Sequence, residues 1–179
     1  MIAALAFVVA FAAMEAVSYG THRWLMHGPG MGWHASHHAP ARGRFEANDR
    51  FPLCFAAVGF SVFALSATGV APGWTWWAAA GITAYGVAYL VVHELFIHRR
   101  APVPVPDVPY LRWLRDSHRA HHVDGGEPFG MLLPIMSRAD RERVAASRPS
   151  GRRVGPSTGR ATGRSSTDDL LARRAARGV

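Results

Sequence analysis

Ten histidines, confined to four short clusters, are the residues of this 179-residue chain best suited to chemistry: His22 and His27; His34, His37 and His38; His93 and His98; His118, His121 and His122. A pair five apart followed by a triad spaced three and one occurs twice, after residue 20 and after residue 92. Histidines kept for packing or solvation would scatter, so the clustering asks for one shared chemistry. Neutral imidazole is the commonest protein ligand for metal ions. Ten rings exceed the four of a tetrahedral structural zinc and the three of a catalytic one. Two six-coordinate ions, each with an open or bridging position, would absorb about eight to ten protein ligands. A two-metal centre is the expectation.

Helical geometry sorts the clusters. At about 100° per residue, positions i, i+3 and i+4 share a face, so each triad is expected to converge. Residues five apart lie about 140° apart on an α-helix. The pairs His22/His27 and His93/His98 are therefore expected either to straddle two ions or to sit where a helix loosens into a loop. A histidine-rich storage tail would be contiguous and polar, whereas these clusters adjoin long apolar runs.

Those runs must position the histidines. Residues 2–20, 51–70 and 74–92 are long enough to cross a bilayer and carry one charged residue, Glu15. The first lacks the charged start of a secretion signal and is read as a retained span. Glu15 is costly in such a span unless it faces protein or water. It is expected to pack between helices or, in preference, to join a buried network or support a metal-binding histidine. Trp74, Trp76 and Trp77 read as an interfacial belt, and Gly81 and Gly86 as sites of close helix approach. Asn48 or Asp49 is a candidate N-cap for the second span. Pro102, Pro104, Pro106 and Pro109 exclude regular helix. Residues 110–122 then read as an amphipathic helix, with Leu111, Trp113 and Leu114 on the membrane surface and Arg112, Arg115 and Arg119 outward. Residues 129–136 are apolar but too short to span; they are expected to cover the substrate's way in or dip into the interface.

Three crossings return the chain to the side of its first loop, and arginines crowd both the first loop (Arg23, Arg42, Arg44, Arg50) and the chain after residue 98. The positive-inside rule puts both in the cytoplasm. The expected fold is an all-α membrane protein of three to four transmembrane helices with a cytoplasmic, histidine-rich di-metal cap.

Of the formal net charge of +8, the region from Arg138 onward carries +7, from eleven arginines and four acids. Residues 1–137 are read as the membrane-integral domain and 138–179 as a basic tail too poor in large apolar residues to fold alone. No aromatics interleave its arginines, so solvent or anionic headgroups are expected as its surroundings ahead of nucleic acid, and no nucleic-acid partner is expected. Cys54 is the single cysteine, so neither an intrachain disulfide nor a cysteine-based zinc site exists.

Hydrolytic two-metal sites use bridging carboxylates, and within the clusters the only acid is Glu94. Nitrogen-rich ligation suits iron handling dioxygen, and a site beside lipid suits an apolar substrate. A metal transporter would need ionisable groups through its spans, and only Glu15 is available. The order HX4H, HX2HH, HX4H, HX2HH, with Met26-His27-Gly28, Trp33-His34, Phe45-Glu46-Ala47-Asn48-Asp49, Thr83-Ala84-Tyr85-Gly86 and Phe129-Gly130, resembles the bacterial beta-carotene hydroxylases of the membrane-bound fatty acid hydroxylase superfamily over about residues 10–136.

The resemblance implies a non-haem di-iron monooxygenase that uses dioxygen and electrons from reduced ferredoxin or a similar donor. Its implied substrate is beta-carotene, hydroxylated at C3 and C3′ of the beta-ionone rings through beta-cryptoxanthin to zeaxanthin. It implies all ten histidines as metal ligands and a place in the bacterial inner (cytoplasmic) membrane. A hydroxylase or ketolase of another lipid, fatty acyl, sterol or carotenoid, would keep the same metals. Three features depart from the family: Glu94 where aspartate is expected, a shortened stretch over residues 123–128, and the arginine-rich tail. Glu46, Asn48, Asp49 and Glu94 are candidates to orient the histidines, with capping or solvation as the alternative for the first three.

Overall fold

The computed structural model describes residues 1–39, 43, 45–104, 106 and 108–147. Arg42, Arg44 and the basic tail beyond residue 147 lie outside the described residues. The described residues form helices α1 (Ile2–Gly20), α2 (Met31–His38), α3 (Arg50–Ala67), α4 (Trp74–Tyr89), α5 (Pro109–Asp124) and α6 (Arg138–Ser147), with no strand among them. Two further stretches, Thr21–Met26 and Leu90–Ile97, continue α1 and α4 as π-helix. Three continuous rods are long and apolar enough to cross a membrane: Ile2–Met26, Ala47–Ala67 and Trp74–Ile97. Their outer faces expose Leu5, Val8, Val9, Val58 and Leu65, as a lipid-facing surface requires.

Helix α4 is the centre, with α1 packed on one side and α3 on the other. In lipid there is no hydrophobic drive between helices, so close van der Waals approach must hold them together. Gly81 supplies it: a Cβ there would lie 2.4 Å from the Phe7 carbonyl oxygen and 3.1 Å from Ala10 Cβ. Phe11 meets Tyr85 edge to face one turn further on. Gly86, also expected at a helix contact, has no such neighbour; an added Cβ there meets nothing within 4 Å. Trp74, Trp76 and Trp77 stand half-exposed at the start of α4, and Trp76 packs on Phe63 of α3.

The far ends of the three rods carry α2 and α5. Helix α5 begins on Pro109, whose missing N–H costs nothing at the first helical position, so the last of the four prolines opens the helix. Its buried face reads Leu114, Ser117, His118, His121. Leu114 is thus inside the protein, not on the membrane surface, and Arg115 lies over the Phe96 ring while Arg112 and Arg119 point outward. Helix α6 forms where composition predicts no structure. It is tied to the end of α5 by Arg143, which donates to Asp124 and to the Glu127 carbonyl.

Candidate metal centre

The π-helical stretches explain the pairs. A π-helix bonds N–H(i+5) to C=O(i), and His27 N donates to His22 O at 3.1 Å while His98 N donates to His93 O at 3.0 Å. Residues five apart are thereby stacked on one face, and the ring centroids lie 5.1 Å apart in the first pair and 4.6 Å in the second. Neither pair straddles two sites, and neither helix opens into a loop.

Two groups of side chains converge tightly enough to hold an ion each, with ligand atoms within 4.8 Å of one another. The first is His22, His27, His34, His38 and His121; the second is His37, His93, His98 and His118. It is the triads that straddle. His34 and His38 lie about 40° apart on α2, whereas His37 lies about 60° to the other side of His34, facing the second group. On α5 the same geometry sends His118 to the second group and His121 to the first. Each sequence repeat thus builds one group and lends its middle triad histidine to the other. By this exchange His122 is the counterpart of His38. Its ring sits 4.5 Å from His118 and 4.8 Å from His37, and the buried Nε2 atoms of both His122 and His37 have no hydrogen-bond partner.

Outward bonds fix the rings. The Nδ1–H of His22 donates to Phe129 O (2.9 Å), that of His34 to Asn48 Oδ1 (2.8 Å), that of His37 to Glu46 Oε2 (3.2 Å), that of His93 to Glu94 Oε1 (2.7 Å) and that of His121 to Gly126 O (2.6 Å). Each bond commits the ring's one proton and turns a bare Nε2 inward. His22 and His34 then face each other with two lone pairs 3.2 Å apart. Neither can donate, so the contact repels unless a cation lies between them. Burial holds His34 down to about 4, against the opposing bond from Asn48, and His98 and His121 down to about 3. The donor set fits a nitrogen-ligated pair of metal ions.

Carboxylates act behind the imidazoles. Glu94 accepts from His93 and from the Tyr89 hydroxyl, and Arg100 bridges it to Asp49, donating to Glu94 Oε2 (2.7 Å) and to both oxygens of Asp49 (2.7 and 2.8 Å). Asp49 also accepts from Glu46 N, closing a capping box on the turn Ala47–Asp49, so its side chain does not cap α3. Arg99, left-handed at φ 52°, ends the π-helix and turns Arg100 back so that its N–H reaches Glu94 O. At the end of α5, left-handed Gly125 swings the Gly126 carbonyl over His121. Sequence reasoning missed Arg100, Tyr89 and the two carbonyl acceptors. Only Arg100 leaves a trace, as the second of two arginines that follow the third cluster.

Phe129 is buried against the rings of His22, His27 and His121, at centroid distances of 5.1–5.3 Å. The apolar stretch after α5 therefore covers the first group. From the metal groups a cavity of about 780 Å³ runs into the membrane region between α1, α3 and α4, lined by His22, His37 and His93 at one end and by Phe60, Phe63 and Ile82 further on.

The chain matches the family described as Fatty acid hydroxylase over residues 7–141. It is 40% identical over 152 residues to the Beta-carotene hydroxylase of Pantoea ananas, covering 80% of this chain and 86% of that protein. It is 39% identical over 137 residues to the Beta-carotene hydroxylase of Pseudescherichia vulneris, covering 74% and 77%. To the chloroplastic Beta-carotene 3-hydroxylase 1 of Arabidopsis thaliana it is 40% identical over 131 residues, covering 70% of this chain and 42% of that protein. No solved structure matches it at a significant level.

Proposed function

The chain belongs to the fatty acid hydroxylase family of membrane-bound oxidoreductases, and on that footing we propose that it hydroxylates C3 and C3′ of the beta-ionone rings of beta-carotene, giving zeaxanthin through beta-cryptoxanthin. All ten histidines would hold two iron ions at the cytoplasmic face of the bacterial inner membrane. Iron bound there would supply the activation of dioxygen that an unreactive C–H bond demands. Each turnover consumes one dioxygen, two electrons and two protons; one oxygen atom enters the C–H bond and the other leaves as water. The electrons come from reduced ferredoxin or a similar donor.

The observation that carries this reading is the apolar cavity ending on both histidine groups. Along the turn Ala47–Asp49 and α3 it reaches from Asn48 to Phe63, about 22 Å at roughly 1.5 Å per residue, room for a long isoprenoid chain with one ring at the imidazoles. Phe60, Phe63 and Ile82 exclude water and hold the chain; Phe129 shields the first group. The oriented imidazoles supply the ligand set, and Asn48, Glu46 and Glu94 keep each ring in its tautomer.

Expression in a host that accumulates beta-carotene tests the proposal. Zeaxanthin supports it, canthaxanthin would make the chain a ketolase, and unchanged carotene would redirect it to an acyl or sterol substrate. Metal transport fits less well, because the spans hold few ionisable groups away from the histidine end and Glu15 is fully engaged within the protein.

A further inference from the structure

Glu15 is a charged residue in the middle of an apolar span, and no step of the hydroxylation uses it. Its carboxylate accepts three consecutive backbone N–H groups from more than a hundred residues away: Met131 N at 3.0 Å, Leu132 N at 3.1 Å and Leu133 N at 2.8 Å. The Tyr85 hydroxyl of α4 donates a fourth bond at 2.7 Å. A carboxylate only accepts, and with two oxygens it can satisfy four donors. Three adjacent amide groups in a loop packed against an apolar span, outside any helix or strand, would otherwise each carry a desolvation cost. The same loop supplies the Phe129 carbonyl that accepts the His22 Nδ1–H, the Phe129 ring over three imidazoles of the first group, and Met131 in the cavity wall.

Resting on the metal-centre reading above, we propose that Glu15 is a positioning residue for the first metal group. By gathering the N–H groups of residues 131–133 it holds the strap 129–133 in place, and through Phe129 it fixes the orientation of His22. No histidine touches Glu15 itself. The coupling runs through main chain, from a carboxylate in α1 to a loop after α5 and back to the π-helical end of α1.

The test is iron(II) titration of the detergent-solubilised full chain and of Glu15→Gln, which keeps the shape but sets an amide NH2 against backbone donors. Loss of a partner behind a metal ligand costs roughly 10- to 100-fold in metal affinity or activity. The expected result is a drop of that size for one of the two ions, with the second unchanged and an altered Mössbauer spectrum for half of the iron. General loosening of the fold would weaken both ions together and would overturn the proposal, as would two unchanged affinities. Should Glu15→Gln fail to accumulate, Tyr85→Phe, which removes one of the four donors, decides by the same criterion with a smaller drop. Iron affinity is read without substrate, so a different lipid specificity would defeat the carotenoid proposal and leave this one standing.

Discussion

His22 donates its Nδ1 hydrogen to the carbonyl oxygen of Phe129 at 2.9 Å, joining the first histidine cluster to a loop 107 residues later. The bond shows how the centre is built. Side chains from the π-helical ends of α1 and α4 and from helices α2 and α5 supply the inward nitrogens, and most of the acceptors that aim them stand on other segments. Glu46 and Asn48 precede α3, Gly126 follows α5, and Phe129 lies beyond it. A fault in any one segment disturbs a ligand contributed by another.

Asn48 gives the simplest instance. Its Oδ1 is the acceptor of the His34 Nδ1–H at 2.8 Å, and the side chain is buried. Asn48→Ala leaves that proton without a partner and frees the ring to exchange tautomers, which presents N–H to the metal. Metal affinity and hydroxylation should each fall roughly 10- to 100-fold, with membrane insertion retained, while Asn48→Asp, which keeps an acceptor, should lose less. Metal analysis of the purified variants checks both, and equal losses would show that the contact does not orient the ring.

The exchange of middle histidines predicts an inverted pattern of metal loss. His121→Ala should empty the group built by the first repeat, and His37→Ala the group built by the second, although each residue belongs to the other repeat. Both should abolish hydroxylation and leave insertion intact. Iron counted per chain should fall from two to one in each, and activity retained in both variants would remove these residues from the metal set.

The sequence shows where the centre is but not how it is divided. Periods of three and four place His34, His37 and His38 on one broad face, and they do lie on one. The 100° between His37 and His38 nevertheless spans two sites, and only the position of α5 decides which ring goes where. The five-residue pairs looked unable to share a face because an α-helix was assumed. The π-helical widening at Thr21–Met26 and Leu90–Ile97 answers to ten rings drawn together, a tertiary demand that no local propensity carries. Glu15 was legible as a costly charge needing a partner, but its partners are backbone amides, which have no sequence signature. The helix Arg138–Ser147 escaped notice because its support, Arg143 on Asp124 and the Glu127 carbonyl, is non-local.

Arg100 can be tested apart from any histidine. Its fork grips both oxygens of Asp49 and one of Glu94, fixing the carboxylate that accepts from His93. Lysine carries the charge as a point donor and cannot hold that planar geometry. Arg100→Lys should therefore lower the hydroxylation rate roughly 10-fold, toward the lower end of the range for groups that orient ligands. The rate should fall further than the apparent affinity for substrate, because the fork, although it borders the cavity, is held by the carboxylates behind the histidines. Initial rates across substrate concentration check this, and an effect confined to KM would contradict it.

Gly81 and Gly86 stand five residues apart on α4 and should respond oppositely to an added side chain. At Gly81 a Cβ would sit 2.4 Å from the Phe7 carbonyl oxygen and 3.1 Å from the Phe11 nitrogen, both main-chain atoms that cannot rotate away. Gly81→Ala must push α1 off α4, at a cost of about 1–3 kcal/mol for overpacking, and since α1 leads into His22 and His27 the metal should be lost with stability. At Gly86 a Cβ meets nothing within 4 Å, because the residue lines the cavity. Gly86→Ala should leave both stability and metal content at the wild-type level. Gly86→Leu should keep two irons but raise KM for beta-carotene, as its side chain occupies the space of the isoprenoid chain. Thermal inactivation in detergent, iron content and KM separate these outcomes. A Gly86→Leu protein with unchanged KM would move the substrate out of this cavity.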